Sequence, residues 1–212
     1  MKRKSKRIFA GVLAVLVSFA MVGSGLLVFF FDREDQLYGS SASTLAANAA
    51  AEYQDQKLRI DAMVKQAEID PENVPLQTAL ANEYFNAGFA AREVAPAESQ
   101  ENFKKAVEVY QSVLKLNKEP NIMVNMATAA FYSGNNDLAE NTYKEAISLN
   151  SESYDALVNY GVFLSLAKND WAGALAQWQK AQTLAQNSAD QDLMKMLISQ
   201  AQDKLKANSV TP

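Results

Sequence analysis

The chain has 212 residues, 49% of them hydrophobic, with only 8 glycines and 5 prolines. This composition supplies enough apolar surface for one well-buried domain and predicts an all-α protein, because β folds need more Gly and Pro at their turns. Cysteine and histidine are both absent, which excludes disulfides, thiolate or imidazole metal ligands and catalysis by histidine.

The charges are unevenly distributed along the chain. Residues 1–31 contain five basic residues and no acidic one, so the rest holds 15 basic and 24 acidic residues, a net charge of −9. Because such a domain repels phosphate backbones, no nucleic-acid partner is expected, and a basic or apolar partner is favoured.

The amino-terminal segment has the features of a membrane anchor. A basic tail, residues 1–7, precedes 24 uncharged residues, 8–31. As a helix these residues extend about 36 Å and span a hydrocarbon core of roughly 30 Å. The apolar region of a cleavable signal peptide is usually about 7 to 15 residues long, so we predict an uncleaved signal-anchor, a transmembrane helix in contact with the lipid bilayer. Cleavage at Ser40-Ser41-Ala42 is the alternative.

The charges that flank this segment predict its orientation. The basic tail precedes the apolar run, whereas residues 32–35 after it carry a net charge of −2. Basic flanks stay on the cytoplasmic side. We therefore expect a single-pass protein of the inner membrane of a bacterial cell envelope, with its amino terminus in the cytoplasm and its main domain outside it.

A linker at residues 32–43 is predicted to lead into a first helix or half-repeat at residues 44–70. Apolar residues there recur at intervals close to three, four or seven: Ala49, Tyr53, Ile60, Val64 and Ala67. The pair Asp70-Pro71 ends the pattern, because proline lacks the amide hydrogen that helix continuation needs.

Three helical hairpins are predicted over residues 71–187, with a period of about 34 residues in the last two. Small and large residues recur in phase, as they do where two helices pack closely. They are Leu80, Ala81, Tyr84, Gly88, Ala106, Tyr110 and Val113 in the first hairpin, Met126, Ala127, Ala130, Phe131, Gly134, Ala139, Tyr143 and Ala146 in the second, and Tyr160, Gly161, Leu164, Ala174, Trp178 and Ala181 in the third.

This pattern resembles the tetratricopeptide repeat, which runs Trp-x2-Leu-Gly-x2-Tyr, then Ala-x3-Phe, then Pro. The early Trp position holds Gln77, Met123 and Leu157 instead. Thirteen residues, 89–101, are inserted within the first hairpin, and we expect a long loop there that Pro96 keeps from being helical. Either the loop is a harmless length variant or it contacts a partner.

After the repeats, residues 188–207 are predicted to form a capping helix. Ser188 and Gln191 match a capping box. Leu193, Leu197, Ala201 and Leu205 form one apolar stripe, and Lys195, Ser199, Lys204 and Lys206 lie off it. The family resemblance thus implies an α-solenoid of three hairpins, with a leading helix and this cap.

The resemblance also implies a ligand groove lined by the first helix of each hairpin. Its candidate residues are Asn82, Phe85, Asn125, Thr128, Phe131, Tyr132, Asn159, Val162 and Leu166. Asparagine amides can pair with the backbone of an extended peptide, and aromatic rings can form pockets for apolar side chains. Asparagine is also common at this position in the family without a peptide, and the opposite face remains an alternative. Thr78, Asn121 and Asp155 stand where a carboxylate-clamping repeat needs Lys or Arg.

No enzymatic activity, metal or cofactor is expected, since the sequence has no Gly-rich phosphate loop, Ser-centred elbow or carboxylate cluster with metal spacing. The leading hypothesis is a membrane-anchored scaffold or assembly factor that holds other envelope or exported proteins. A periplasmic chaperone near the secretion channel and a c-type cytochrome assembly factor are narrower alternatives, the latter from the likeness of residues 170–181 to such proteins. A structural subunit of a larger membrane complex is the alternative from a different class.

Overall fold

A computed structural model describes residues 41–210, and the predicted basic tail, transmembrane helix and first nine residues of the predicted linker lie outside this range. Within it the chain forms eight α-helices, and residues from Leu45 onward belong to one compact unit. The helices are α1 (Ser41–Ile69), α2 (Val74–Val94), α3 (Pro96–Leu116), α4 (Pro120–Tyr132), α5 (Asn136–Leu149), α6 (Tyr154–Ala167), α7 (Trp171–Leu184) and α8 (Ser188–Val210). No helix of this described range is both long enough and apolar enough to cross a bilayer.

Local capping chemistry determines where several helices begin. Asn73, Asn135, Ser153 and Asp170 each precede a helix and accept a hydrogen bond from the backbone N–H three residues later, at 2.8 to 3.3 Å. These bonds satisfy amides that a helix leaves without an internal partner. Two other helices, α3 and α4, begin with proline in the first turn, where its missing N–H costs nothing, and α2 has a proline there in addition to its Asn73 cap.

The helices pack as three antiparallel hairpins, α2 with α3, α4 with α5 and α6 with α7. Small residues let the two helices approach, and alanines 81, 106, 127, 139 and 174 are completely buried. Beside each close contact, the second helix supplies one large ring that fills the remaining space: Tyr110, Tyr143 or Trp178, all completely buried. The phase of the predicted repeat is therefore confirmed, and the described chain is a tetratricopeptide-like solenoid.

The leading helix α1 packs against the first hairpin through Tyr53, Ile60 and Ala67. The Tyr53 hydroxyl donates to Glu98 Oε2 at 2.9 Å and accepts from Asn102 Nδ2 at 2.9 Å, both on α3. Helix α1 begins at Ser41, so the last three residues of the predicted linker are helical.

The prediction of a loop at residues 89–101 is wrong. Helix α2 continues to Val94 and α3 begins at Pro96, so Ala95 alone stands between them. Pro96 does interrupt the helix, as expected, but it does so as the first residue of a new one. The inserted residues lengthen both helices to 21 residues, against 13 or 14 in the later hairpins.

Helix α8 covers the last hairpin by packing on α7. Leu193, Leu197 and Ala201 are buried, which confirms the predicted stripe. The predicted capping box is displaced by one residue: Asn187 Oδ1 accepts from the backbone N–H of Asp190 at 2.9 Å, and Asn187 Nδ2 donates to the Asp190 carboxylate at 2.8 Å. Asn187 serves as the cap in place of Ser188, because an Asn side chain caps at least as well as Ser.

Candidate functional site

The nine candidate groove residues all lie on α2, α4 and α6, the first helices of the three hairpins. We call the side of the solenoid formed by these helices the first-helix face. Their exposure differs: Phe85, Thr128, Asn159 and Val162 are buried, Asn82, Asn125, Phe131 and Tyr132 are half-buried, and Leu166 is 45% exposed. Five of the nine candidate side chains are thus accessible at the surface.

Asn82 and Asn125, on successive first helices, both meet the hydroxyl of Tyr110. This hydroxyl donates to Asn82 Oδ1 at 2.6 Å. Burial raises the pKa of Tyr110 above its ordinary value, and a hydrogen bond with the Asn125 side chain opposes the rise. Tyr110 therefore fixes the orientation of the Asn82 and Asn125 amides on the first-helix face.

An equivalent bond occurs in the second hairpin. Thr128 Oγ1 lies 2.8 Å from the Tyr143 hydroxyl and donates to the backbone oxygen of Val124 at 2.9 Å. In the third hairpin Val162 stands at this place, and the ring of Trp178 donates to the backbone oxygen of Val158 at 3.1 Å. Thr128 and Val162 are 2% and 0% exposed, so both serve the packing of the hairpins.

Asn159 differs from the other two asparagines. It is only 5% exposed, yet no hydrogen bond to its amide is found among residues 41–210. Neither amide atom is among the fully buried unpaired atoms of the described range, so the small exposed part of Asn159 includes its amide. This amide is therefore available to pair with water or with a ligand.

Aromatic rings form a continuous row along the first-helix face. Phe89 contacts Phe103 with ring centroids 4.9 Å apart and Tyr132 at 4.8 Å. Tyr132 contacts Phe131 at 4.8 Å, and Phe131 meets Phe163 of α6 edge-on at 5.6 Å. Offset and edge-on pairs at these distances are favourable, so the row links all three hairpins.

Phe89 is a member of this row that sequence reasoning missed, because it lay in the predicted loop. The signal was present: Phe85 and Phe89 are four residues apart, the spacing of neighbours on one helix face, and their rings are 5.1 Å apart. One turn beyond Phe89, the guanidinium of Arg92 lies 5.9 Å from the Tyr132 ring centroid. Burial raises the pKa of Tyr132, and the Arg92 charge acts in the opposite direction.

The described chain is thus an all-helical protein of the tetratricopeptide-like solenoid class. No protein-family model matches the sequence, and the curated proteins contain no match to it.

Solved structures do match. The crystal structure of MamA protein aligns over 77% of this chain and 87% of its own, with a TM-score of 0.50 and 18% identity. The Yersinia enterocolitica type III secretion chaperone SycD, in complex with a peptide of the translocator YopD, aligns over 60% of this chain and 93% of its own, with a TM-score of 0.46 and 16% identity. Yeast Tom70 aligns over 84% of this chain and 46% of its own, with a TM-score of 0.48 and 19% identity. At such identities the likeness concerns the fold alone.

Proposed function

We propose that this protein is a scaffold or assembly factor that holds an extended segment of another envelope or exported protein on its first-helix face. The observation that supports this most directly is the Asn159 amide, which has no hydrogen-bond partner among the described residues and is still accessible to solvent. A peptide backbone supplies both the donor and the acceptor that an amide needs.

Other side chains of the first-helix face suit such a ligand. The half-buried rings of Phe131 and Tyr132 and the exposed side chain of Leu166 offer apolar contact. Asn82 and Asn125 are held in place through Tyr110. Pre-oriented amides lower the entropy lost when a ligand binds, and apolar neighbours add affinity without demanding one sequence.

We further propose that the domain works outside the cytoplasm, tethered by residues 8–31. This rests on the length of the uncharged segment and on its flanking charges. A tether of this kind confines the partner search to proteins at the membrane surface.

Site-specific photo-crosslinking in cells tests the binding proposal. A crosslinking amino acid at Leu166 should trap a defined set of proteins, and one at Lys104, exposed on α3, gives the matched control. The substitution Asn159→Leu replaces asparagine by a side chain of similar volume that cannot form hydrogen bonds. It should reduce the yield of crosslinked product from the crosslinker at position 166. Equal yields from positions 104 and 166, or an unchanged yield with Asn159→Leu, would contradict binding on the first-helix face.

A further inference from the structure

Charged residues are almost absent from the part of the first-helix face that α4 and α6 form. Helix α4 has none among its 13 residues and α6 has only Asp155 among its 14, whereas α3, α5 and α7 carry six, four and one. Burial explains part of this difference, but the accessible side chains there, such as Asn125, Phe131 and Leu166, are uncharged as well. A charged ligand side chain would lose hydration on this surface and find no partner apart from Asp155.

Four residues of α6 lie along one line on this face: Asp155, Asn159, Val162 and Leu166. They are separated by four, three and four positions, the spacing of neighbours on one side of a helix. Asp155 is exposed, the Asn159 amide is accessible and has no partner among residues 41–210, and Leu166 is 45% exposed. The line therefore offers a carboxylate at one end, an amide in the middle and an aliphatic side chain at the other end.

The negative charge at the end of this line has no balancing partner within the described range. No ion pair of Asp155 is found there, and the charged group that acts on it is another carboxylate, Asp190 of α8. Asp190 itself accepts a hydrogen bond from a neutral donor, Asn187 Nδ2, at 2.8 Å. A carboxylate in the first turn of a helix is usually favoured, but lost hydration raises the pKa of Asp155, and the Asp190 charge adds to the rise. A cation supplied by a ligand would relieve this repulsion.

The length of the line determines how far apart two ligand side chains must be. Asp155 and Leu166 are eleven positions apart, which corresponds to about 16 Å at a helical rise of about 1.5 Å per residue. An extended chain advances about 3.3 Å per residue and covers this distance in about five residues. A segment that runs along α6 can thus place one side chain at Asp155 and another at Leu166, with its backbone passing the Asn159 amide between them.

We propose that this part of the first-helix face selects an extended segment with one lysine or arginine about five residues from a bulky apolar side chain, and with no charged residue between them. The basic side chain pairs with the Asp155 carboxylate, the backbone pairs with the Asn159 amide, and the apolar side chain packs at Leu166. This inference rests on the function proposed above and adds the class of segment that the face accepts.

The test is a binding titration by fluorescence anisotropy, with the full-length protein in nanodiscs of zwitterionic lipid and labelled peptides blocked at both ends. The parent peptide consists of serine, threonine and glutamine, with one lysine and one phenylalanine about five residues apart. Replacing its lysine by glutamate should weaken binding about fivefold, the effect of one exposed ion pair lost. Moving the lysine next to the phenylalanine should weaken binding about as much, because the lysine then lies too far from Asp155.

A fourth peptide separates local pairing from attraction at long range. It carries a second lysine midway between the first lysine and the phenylalanine, so its net charge is higher and the acidic domain attracts it more strongly at a distance. Because this lysine lies against an uncharged surface, we expect the peptide to bind several-fold more weakly than the parent. Tighter binding would show that net charge decides affinity, and would contradict the proposal.

Charge reversal on the protein locates the contact. Asp155→Lys should bind the glutamate peptide more tightly than the parent peptide. Asp137→Lys is the matched control, because Asp137 is an exposed aspartate in the first turn of α5 and this substitution changes the net charge equally. It should keep the wild-type preference for lysine. If circular dichroism shows that Asp155→Lys has lost helical structure, Asp155→Asn replaces it and should bind both peptides with equal affinity.

Several results would overturn the inference: no binding of the parent peptide, equal affinity of the wild type for the lysine and glutamate peptides, no effect of the position of the lysine, or the wild-type preference retained after substitution of Asp155. Crosslinking from Leu166 reports on the proposed function separately. Crosslinks there together with any of these results would leave the proposed function standing and remove the requirement for charge and spacing. Absence of crosslinks would overturn both.

Discussion

The indole of Trp178 lies against the Cα of Gly161, on the helix that faces it in the third hairpin. A Cβ atom added to Gly161 would come within 2.7 Å of the ring carbon Cδ1 and closer still to Nε1. Because Trp178 is completely buried and its N–H donates to the backbone oxygen of Val158, the ring has no room to withdraw.

We therefore predict that Gly161→Ala lowers the free energy of unfolding by about 1 to 3 kcal/mol, the usual cost of overpacking. Thermal and urea unfolding followed by circular dichroism measure it. Ser199→Ala, an exposed site on α8, serves as the control. Trp178→Phe should be less harmful in the Gly161→Ala background than in the wild type, and additive effects would show that the contact is not the cause.

A second prediction concerns the buried pair Thr128 and Tyr143. Tyr143→Phe removes one partner of their 2.8 Å hydrogen bond and should cost about 1 to 2 kcal/mol, because burial penalises polar groups that lose a partner. Adding Thr128→Val to the Tyr143→Phe variant should cause little further loss of stability. A double-mutant cycle measures the coupling, and a coupling energy near zero would contradict the bond.

A third prediction tests the extension of the first hairpin. Phe89→Ala should destabilise the domain by about 2 kcal/mol or more, since Phe89 packs on Phe103 and Tyr132. Glu93→Ala, exposed on the same helix, is the control and should change stability by less than about 0.5 kcal/mol. Equal stability of the two variants would indicate that the inserted segment is not part of the packed hairpin.

These contacts show which features the sequence could reveal. The repeat phase was predictable because a close helix crossing needs small residues, and rings such as Tyr143 and Trp178 fill the space beside it. The helical state of residues 89–101 was not, because Pro96 both ends one helix and begins another, and the sequence does not say that a helix restarts after Ala95. For the candidate site, periodicity placed Val162 on the correct helix, but its burial depends on neighbouring helices.

A fourth prediction concerns pH. Hydrogen bonds from Lys144 and then from Lys168, at 2.7 and 2.8 Å, hold the pKa of Glu140 below its ordinary value. The stabilisation is therefore fully present above the pKa of the unfolded chain, about 4.3, and is lost as the pH falls through the lower pKa of the folded state. Because the groups are partly solvated, the effect is modest.

The measurement is the thermal midpoint between pH 7 and pH 3. Glu140→Gln should lower the thermal midpoint at pH 7. In this variant the midpoint should also decrease less steeply as the pH falls toward 3. Glu152→Gln is the matched exposed control and should follow the wild type. Identical acid limbs for Glu140→Gln and the wild type would show that this ion cluster does not contribute to the pH dependence.

The proposed orientation leads to a fifth prediction, which uses the absence of native cysteine. A single Ser112→Cys substitution, at an exposed position of α3, creates one thiol in the whole chain. If the domain lies outside the cytoplasm, a membrane-impermeant maleimide should label this thiol in intact cells whose outer layers admit the reagent. Ser5→Cys, within the basic tail, should be labelled only after the membrane is opened, because basic flanks remain in the cytoplasm.

The pattern of labelling separates the alternatives for the amino-terminal segment. Labelling of Ser112→Cys together with loss of the Ser5→Cys thiol from the mature protein would indicate cleavage near Ser40-Ser41-Ala42, with a released domain. Labelling of Ser5→Cys alone would reverse the proposed topology. If neither thiol is labelled until the cells are lysed, both positions lie in the cytoplasm. The envelope partners proposed for the first-helix face would then be excluded. Its proposed peptide binding would be unaffected.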